Sequence, residues 1–255
     1  MKVVFYLVLM IVPLLGEARV FNFKSEYLAS YLRATGGMSK AGDQAFGDSS
    51  GADTTFEDEV AYNFSGEIGF LLMFKDRVTF RVGVELLETK PLVEVPGADT
   101  SGTALFALNS QAVVLQPVGT FEFNLMPKPD SRLFFYIGGG LAELTLENSY
   151  VMTADGETSL AQTDFTEKLK SRAWSGHGGI GYEMLMADTV TVSFDLGYRH
   201  LPFSELKFKE DSSTLTQGAA VSNDVALTNS GDKRILDMSG PYFALTFRFY
   251  IDFNR

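Results

Sequence analysis

The sequence predicts an all-β fold: a closed, eight-stranded, antiparallel up-and-down β-barrel that crosses a membrane with its strands. Three observations carry this. Bulky apolar residues alternate with small or polar ones over long runs, as in 60–74, "VAYNFSGEIGFLLMF". A period of two gives a strand one apolar and one polar face. The runs come in pairs, joined alternately by short and long connections. The apolar face of the clearest runs holds no Asp, Glu, Lys or Arg, in a chain that is 21% charged.

Composition agrees. At 255 residues the chain has room for one or two domains, and 22 Phe and 24 Gly against a single Trp favour strands and turns over helices. A net charge of -11 argues against a general affinity for nucleic acid. Without cysteine there are no disulfides, thiolate metal sites, cysteine nucleophiles or lipid-bearing N-terminal cysteine.

The N-terminus "MKVVFYLVLMIVPLLGEA" has Lys2, an apolar run from Val3 to Leu15, and small residues at Gly16 and Ala18. That is the layout of an export signal, and the run is short of the ~20 apolar residues needed for a spanning helix. The expected organisation is a signal peptide at 1–18 and one barrel domain at 19–255.

The strands follow in order. A first one is expected near 20–34. In 60–74 Tyr62, Phe64, Ile68, Phe70, Leu72 and Phe74 share a face, and after "KDR" the run "VTFRVGVELL" presents Val78, Phe80, Val82, Val84 and Leu86 on the matching face. Residues 112–125 turn at "MPKPDSR" into "LFFYIGGGLAELTL", and 173–186 turn at "AD" into "TVTVSFDLGYRHL". The last strand, 240–253, alternates Phe243, Leu245, Phe247, Phe249, Ile251 and Phe253 with Arg248 on the other face. Pro117 suggests a bulge or bend in the fourth strand. In the fifth, Phe134, Tyr136, Leu144 and Leu146 are placed outward so that Glu143 stays inside.

Short connections fall near 75–77, 126–132 and 187–188, long ones near 35–59, 88–111, 147–171 and 202–239. In an up-and-down sheet all the short turns then lie at one end. The second face carries Ser65, Gly69, Thr79, Gly83, Thr120, Ser193 and Gly197, small side chains suited to a narrow interior and not to a solvated face. The apolar face is therefore expected to meet lipid, and the sheet must close so that every backbone group is paired.

On these features the chain resembles the small OmpA/OmpX/OmpW-type outer-membrane barrels over essentially the whole mature length. The resemblance implies short periplasmic turns, long extracellular loops and residence in the outer membrane of a Gram-negative-type bacterium after export through the inner membrane. It also implies contact with outer-membrane lipid and lipopolysaccharide, and recognition of the C-terminal strand by the barrel-assembly machinery. Here Asn254 and Arg255 follow Phe253, a departure from the usual terminal aromatic residue.

The inward face places charges at Glu67, Arg81, Glu85, Glu122, Glu183, Asp195, Arg199 and Arg248. Pairing Phe74 with Val78 sets Glu67 across from Glu85, and two close carboxylates need a cation or a proton. A salt-bridged plug is the expected role, with a catalytic carboxylate pair or an ion path as the alternatives. His177 points inward near Arg199. His200 lies on the lipid-facing parity four residues before Ser204; lipid A deacylases, also eight-stranded barrels, use a rim histidine and serine, spaced more closely than here and without an intervening proline such as Pro202. The acidic stretch with Asp48, Asp53, Glu57, Asp58 and Glu59 lacks EF-hand spacing. The expectation is a non-enzymatic barrel with a structural, surface-interaction or minor-permeation role, needing no cofactor or metal. The alternatives are a lipid A-modifying hydrolase using His200 and Ser204, or a narrow channel for small or hydrophobic solutes.

Overall fold

The computed structural model describes residues 21–23, 26–41, 45–48, 51–54, 59–74, 77–215 and 218–251. The expected export signal at 1–18, Glu57, Asp58, most of the first short turn and Phe253 with the two residues after it lie outside the described residues.

Eight long strands follow one another: β1 Leu28–Ala41, β2 Glu59–Phe74, β3 Val78–Thr89, β4 Ala104–Pro127, β5 Ser131–Met152, β6 Phe165–Ala187, β7 Val190–His200 and β8 Gly240–Tyr250. Each pairs antiparallel with the next. The ring closes where β8 pairs β1, from Ala29 opposite Tyr250 to Gly37 opposite Tyr242. Closure leaves the wall with no free edge.

Four expectations need correction. The first strand begins at Leu28, not near residue 20, and runs through "TGGMSKA", a stretch read as loop, because β2 and β8 pair along it. Its upstream residues Phe21 and Phe23 instead tuck into the barrel, buried beside Tyr250 with ring centroids 5.1 and 6.0 Å away. Strands β4, β5 and β6 extend to 24, 22 and 23 residues by absorbing much of the second and third long loops. The fifth strand has the opposite register: Phe134, Tyr136, Leu144 and Leu146 are buried inside, while Glu143 points out and bonds Arg172 of β6 at 2.7 Å. Glu143 needs no shelter because it stands above the part of the wall that is apolar. Finally, Pro117 causes no bulge; the β4 to β5 register is the same on both sides of it and shifts only between Asn124 and Met126. Pro117 faces outward, opposite Val84, where only a local ladder bond is lost.

The interior is layered. At the short-turn end Phe21, Phe23, Tyr31, Leu71, Met73 and Tyr250 form an aromatic floor. Polar and charged residues fill the middle. Toward the long loops a large apolar cluster closes the barrel, and the reason lies in unequal wall heights. β7 ends at His200 and β8 starts at Gly240, so β5 and β6 rise above them. The chain between, 201–239, fills the gap with buried Leu201, Phe203, Leu206, Phe208, Leu236 and Met238, packed with Leu144, Leu146 and Leu169 from the tall wall. Lys207 and Phe208 add a two-residue strand to β6, and the inner Phe208 explains how a stretch as charged as "SELKFKED" is held. This dome has its own buried ion pair, Arg234 with Glu167 at 2.7 Å. A short helix, α1 Ala154–Leu160, joins β5 to β6, capped by the Thr153 hydroxyl, which accepts from the Gly156 amide at 3.0 Å.

Candidate functional site: the lumen network and the outer wall

Between floor and dome, among the described residues, the strands send inward five guanidinium groups, Arg33, Arg81, Arg132, Arg199 and Arg248, and five carboxylates, Glu67, Glu85, Glu122, Glu183 and Asp195. All ten are buried. Charges out of water persist only when paired and hydrogen-bonded, and here the two signs match in number.

The lowest tier is the densest. Arg248 donates to both oxygens of Glu122, at 2.8 and 2.9 Å, and to Glu183 at 2.8 Å. Arg132 donates to the same two carboxylates, at 2.9 Å to Glu122 and 2.6 Å to Glu183, and to Thr79 and Asn124 at 2.8 and 3.0 Å. Glu183 also accepts from Thr191 and from Tyr250, the latter at 2.9 Å. The rings of Phe23 and Phe134 flank Arg132 at 5.4 and 5.1 Å, offering their faces to the cation.

Above it, Arg81 spans Glu122 at 3.1 Å and Glu67 at 3.6 Å. Arg33 spans Glu67 at 3.5 Å and Asp195 at 3.3 Å, and Tyr31 donates to Glu67. The highest tier holds Glu85, which accepts from Arg199, from Ser65 at 2.5 Å and from Gln116 at 2.5 Å. Glu67 and Glu85 do face each other across β2 and β3, yet each has its own cations. Glu67 is held by Arg33, Arg81 and Tyr31 and Glu85 by Arg199, Ser65 and Gln116, so each carboxylate is engaged with its own partners. His177 stands opposite Arg199, with its Nε2 2.9 Å from the Thr120 hydroxyl.

Sequence reasoning missed Arg33, Arg132 and Tyr31. Arg132 falls at the end of "MPKPDSR", which the sequence presents as a turn, and the other two lie on the first strand, whose start the sequence sets too early. Two glycines make room for Tyr31: a Cβ on Gly83 would lie 2.2 Å from its hydroxyl oxygen, and one on Gly69 would lie 2.8 Å from it.

His200 faces outward, and the structure does not bring Ser204 to it. Its Nδ1 lies 3.5 Å from the hydroxyl of Ser239, which already accepts from the Leu201 amide at 2.8 Å. Ser204 lines an open groove with Lys170 and Lys207. Asp48 accepts from the Thr54 amide at 3.1 Å, and no group of three or more acidic or histidine side chains suited to a metal occurs among the described residues.

The outer wall decides what surrounds the barrel. Along β6 the outward row runs Trp174, Gly176, Gly178, Ile180, Tyr182, Met184 and Met186, with Trp174 77% exposed. Phe135, Ile137 and Leu141 continue it on β5, Ile68 and Phe70 on β2, and Phe243 and Phe249 on β8. The twelve steps from Trp174 to Met186, at ~3.3 Å each and a tilt of ~40°, give roughly 30 Å, the thickness of a bilayer's hydrocarbon. At the next outward position, Arg172, charge begins. The chain is a membrane-spanning β-barrel.

No family model and no curated protein matches the sequence. Among solved structures the chain is similar to the outer membrane protein OprG from Pseudomonas aeruginosa, with a TM-score of 0.45 and 15% identity over 89% of this chain and 98% of that one. A major outer membrane protein from Thermus thermophilus gives 0.45 and 12% over 88% and 99%. Ail, the attachment invasion locus protein of Yersinia pestis, gives 0.38 and 9% over 89% and 99%. All three scores lie below 0.5, so the architecture is taken from this barrel's own strand pairing and not from them.

Proposed function

We propose that the chain is an integral outer-membrane protein whose barrel is a sealed pedestal and whose role is carried by the loop dome it holds above the membrane. The matched set of five guanidinium groups and five carboxylates, packed between an aromatic floor and an apolar dome, is the observation that carries this reading. Arg81, Arg132, Arg248, Glu122 and Glu183 have no exposed surface, so neither a solute nor a proton-transfer substrate has a path to them. The dome, by contrast, devotes a large apolar core and a buried ion pair to holding loops in one shape. A protein that served only as wall would have little use for it. Surface interaction is therefore favoured over permeation, and the export signal at 1–18 and the orientation with loops outside belong to the same proposal.

The test is electrical and structural together. Protein folded into planar bilayers is expected to give no conductance steps, while heat-modifiable gel migration shows that it is folded. Steady ion conduction by the folded protein would overturn the sealed-pedestal reading.

A further inference from the structure

An open groove of about 790 Å³ lies on the outer wall of β5 and β6, directly above the apolar band. Five cations line it: Lys170, Arg172, Lys207, Lys209 and Lys233. Only two carboxylates, Glu143 and Glu205, stand among them, which leaves an excess of three positive charges in a chain whose net charge is -11.

The pairing inside the groove is incomplete in a specific way. Glu143 takes Arg172 at 2.7 Å, and Glu205 takes both Lys233 and Lys207, the latter at 2.9 Å. Lys170 and Lys209 have no carboxylate within 4.0 Å among the described residues. Lys170 also sits directly opposite Lys207 in the β6 pairing. Like charges across an antiparallel pair repel, and an anion laid between them removes that cost.

Height then selects the anion. Arg172 is two residues above Trp174 on the same outward row, and Lys170 four. At the usual rise and tilt these are ~5 and ~10 Å beyond the tryptophan along the membrane normal, which is the headgroup zone. Tryptophan itself favours that boundary. Cations here meet phosphates, while the apolar row below meets acyl chains.

We propose that this groove seats the phosphorylated sugar headgroup of an outer-leaflet glycolipid, with its acyl chains lying along the wall beside Trp174 and Leu141. This rests on the outer-membrane reading above.

The test uses the full folded chain in zwitterionic phosphatidylcholine nanodiscs doped with bis-phosphorylated lipid A or with the same lipid enzymatically dephosphorylated. Bound glycolipid is measured by mass spectrometry after re-extraction, and affinity by a fluorescent lipid A. The wild type is expected to retain the phosphorylated form selectively. The variant Lys170→Gln/Lys207→Gln is expected to bind about tenfold more weakly. The control Lys90→Gln/Lys128→Gln, which removes two lysines outside the groove, should bind like the wild type. Equal retention of the two lipid forms by the wild type overturns the proposal without any variant. Equal binding by a folded groove variant overturns it as well. Inorganic phosphate that binds as tightly as lipid A would make this a plain anion site and remove the lipid. If the wild type enters no bilayer at all, the membrane reading itself fails, an outcome separate from the others.

Discussion

Arg132 and Arg248, on strands three apart in the ring, hold the same two carboxylates, Glu122 and Glu183, so that each cation is bonded to both anions. With all four side chains fully buried, loss of any one leaves a charge stranded in the interior.

Replacing Arg132 by Met, which keeps the volume and removes the charge, is expected to destabilise the folded barrel by about 3–5 kcal/mol. Arg172→Met, which breaks an exposed pair on the same hairpin, should cost under about 1 kcal/mol. Urea titration in micelles, followed by gel migration or tryptophan emission, separates the two.

A second expectation concerns Tyr31. Gly83→Val would drive a side chain into the Tyr31 hydroxyl, so Tyr31 would leave Glu67. Overpacking of this kind costs about 1–3 kcal/mol, and Tyr31→Phe combined with Gly83→Ala should recover part of it. The same urea midpoints decide the matter.

Phe208 is the side chain by which the charged segment grips the dome. Phe208→Ala is expected to remove about 3–5 kcal/mol of packing, felt locally. Limited proteolysis within 201–239 should accelerate, while the heat-modifiable migration of the barrel stays unchanged.

The loop turn at Asp99 offers a test in pH. Its carboxylate accepts from the Ser101 hydroxyl at 2.7 Å and from the Thr103 and Ser101 amides at 2.9 Å each, and these bonds hold its pKa below the ordinary value. A depressed folded pKa means that the turn's stabilisation is complete above about pH 4, the unfolded value, and is lost as pH falls through the folded one. Amide exchange at Ser101 and Thr103, corrected for intrinsic rates, should therefore lose protection only in the acid limb. Asp99→Asn should flatten that limb.

Much of this was legible in the sequence, and the exceptions have physical causes. On β2, β3 and β8 the alternation assigns both faces, because the outward parity is bulky and apolar almost throughout while the inward one carries the small and charged residues, with bulky inward side chains such as Leu71, Met73, Leu87, Tyr242 and Tyr250 only near the strand ends. On β5 both parities are bulky, with Phe134 and Phe135 then Tyr136 and Ile137, and "GGG" erases the pattern just beyond. Glu143 then misleads, since the strand runs on past the membrane into water. The missing half of the network did leave a trace. The inward residues named from the sequence hold three arginines against five carboxylates, and carboxylates out of water need cationic partners. The two absent cations are Arg33 and Arg132. The dome was less accessible, since its apolar contacts join residues far apart along the chain and follow no period.

The aromatic floor carries a consequence for biogenesis. Phe21 and Phe23 precede the first strand, and Tyr250 belongs to the last, so the two ends of the wall meet in one cluster on the inside. That cluster is complete only when β8 reaches β1, because Tyr250 is the member that comes from the far end of the chain. Zipping the seam therefore also completes the cork at the base, since the ring that packs against both Phe21 and Phe23 arrives with the final strand.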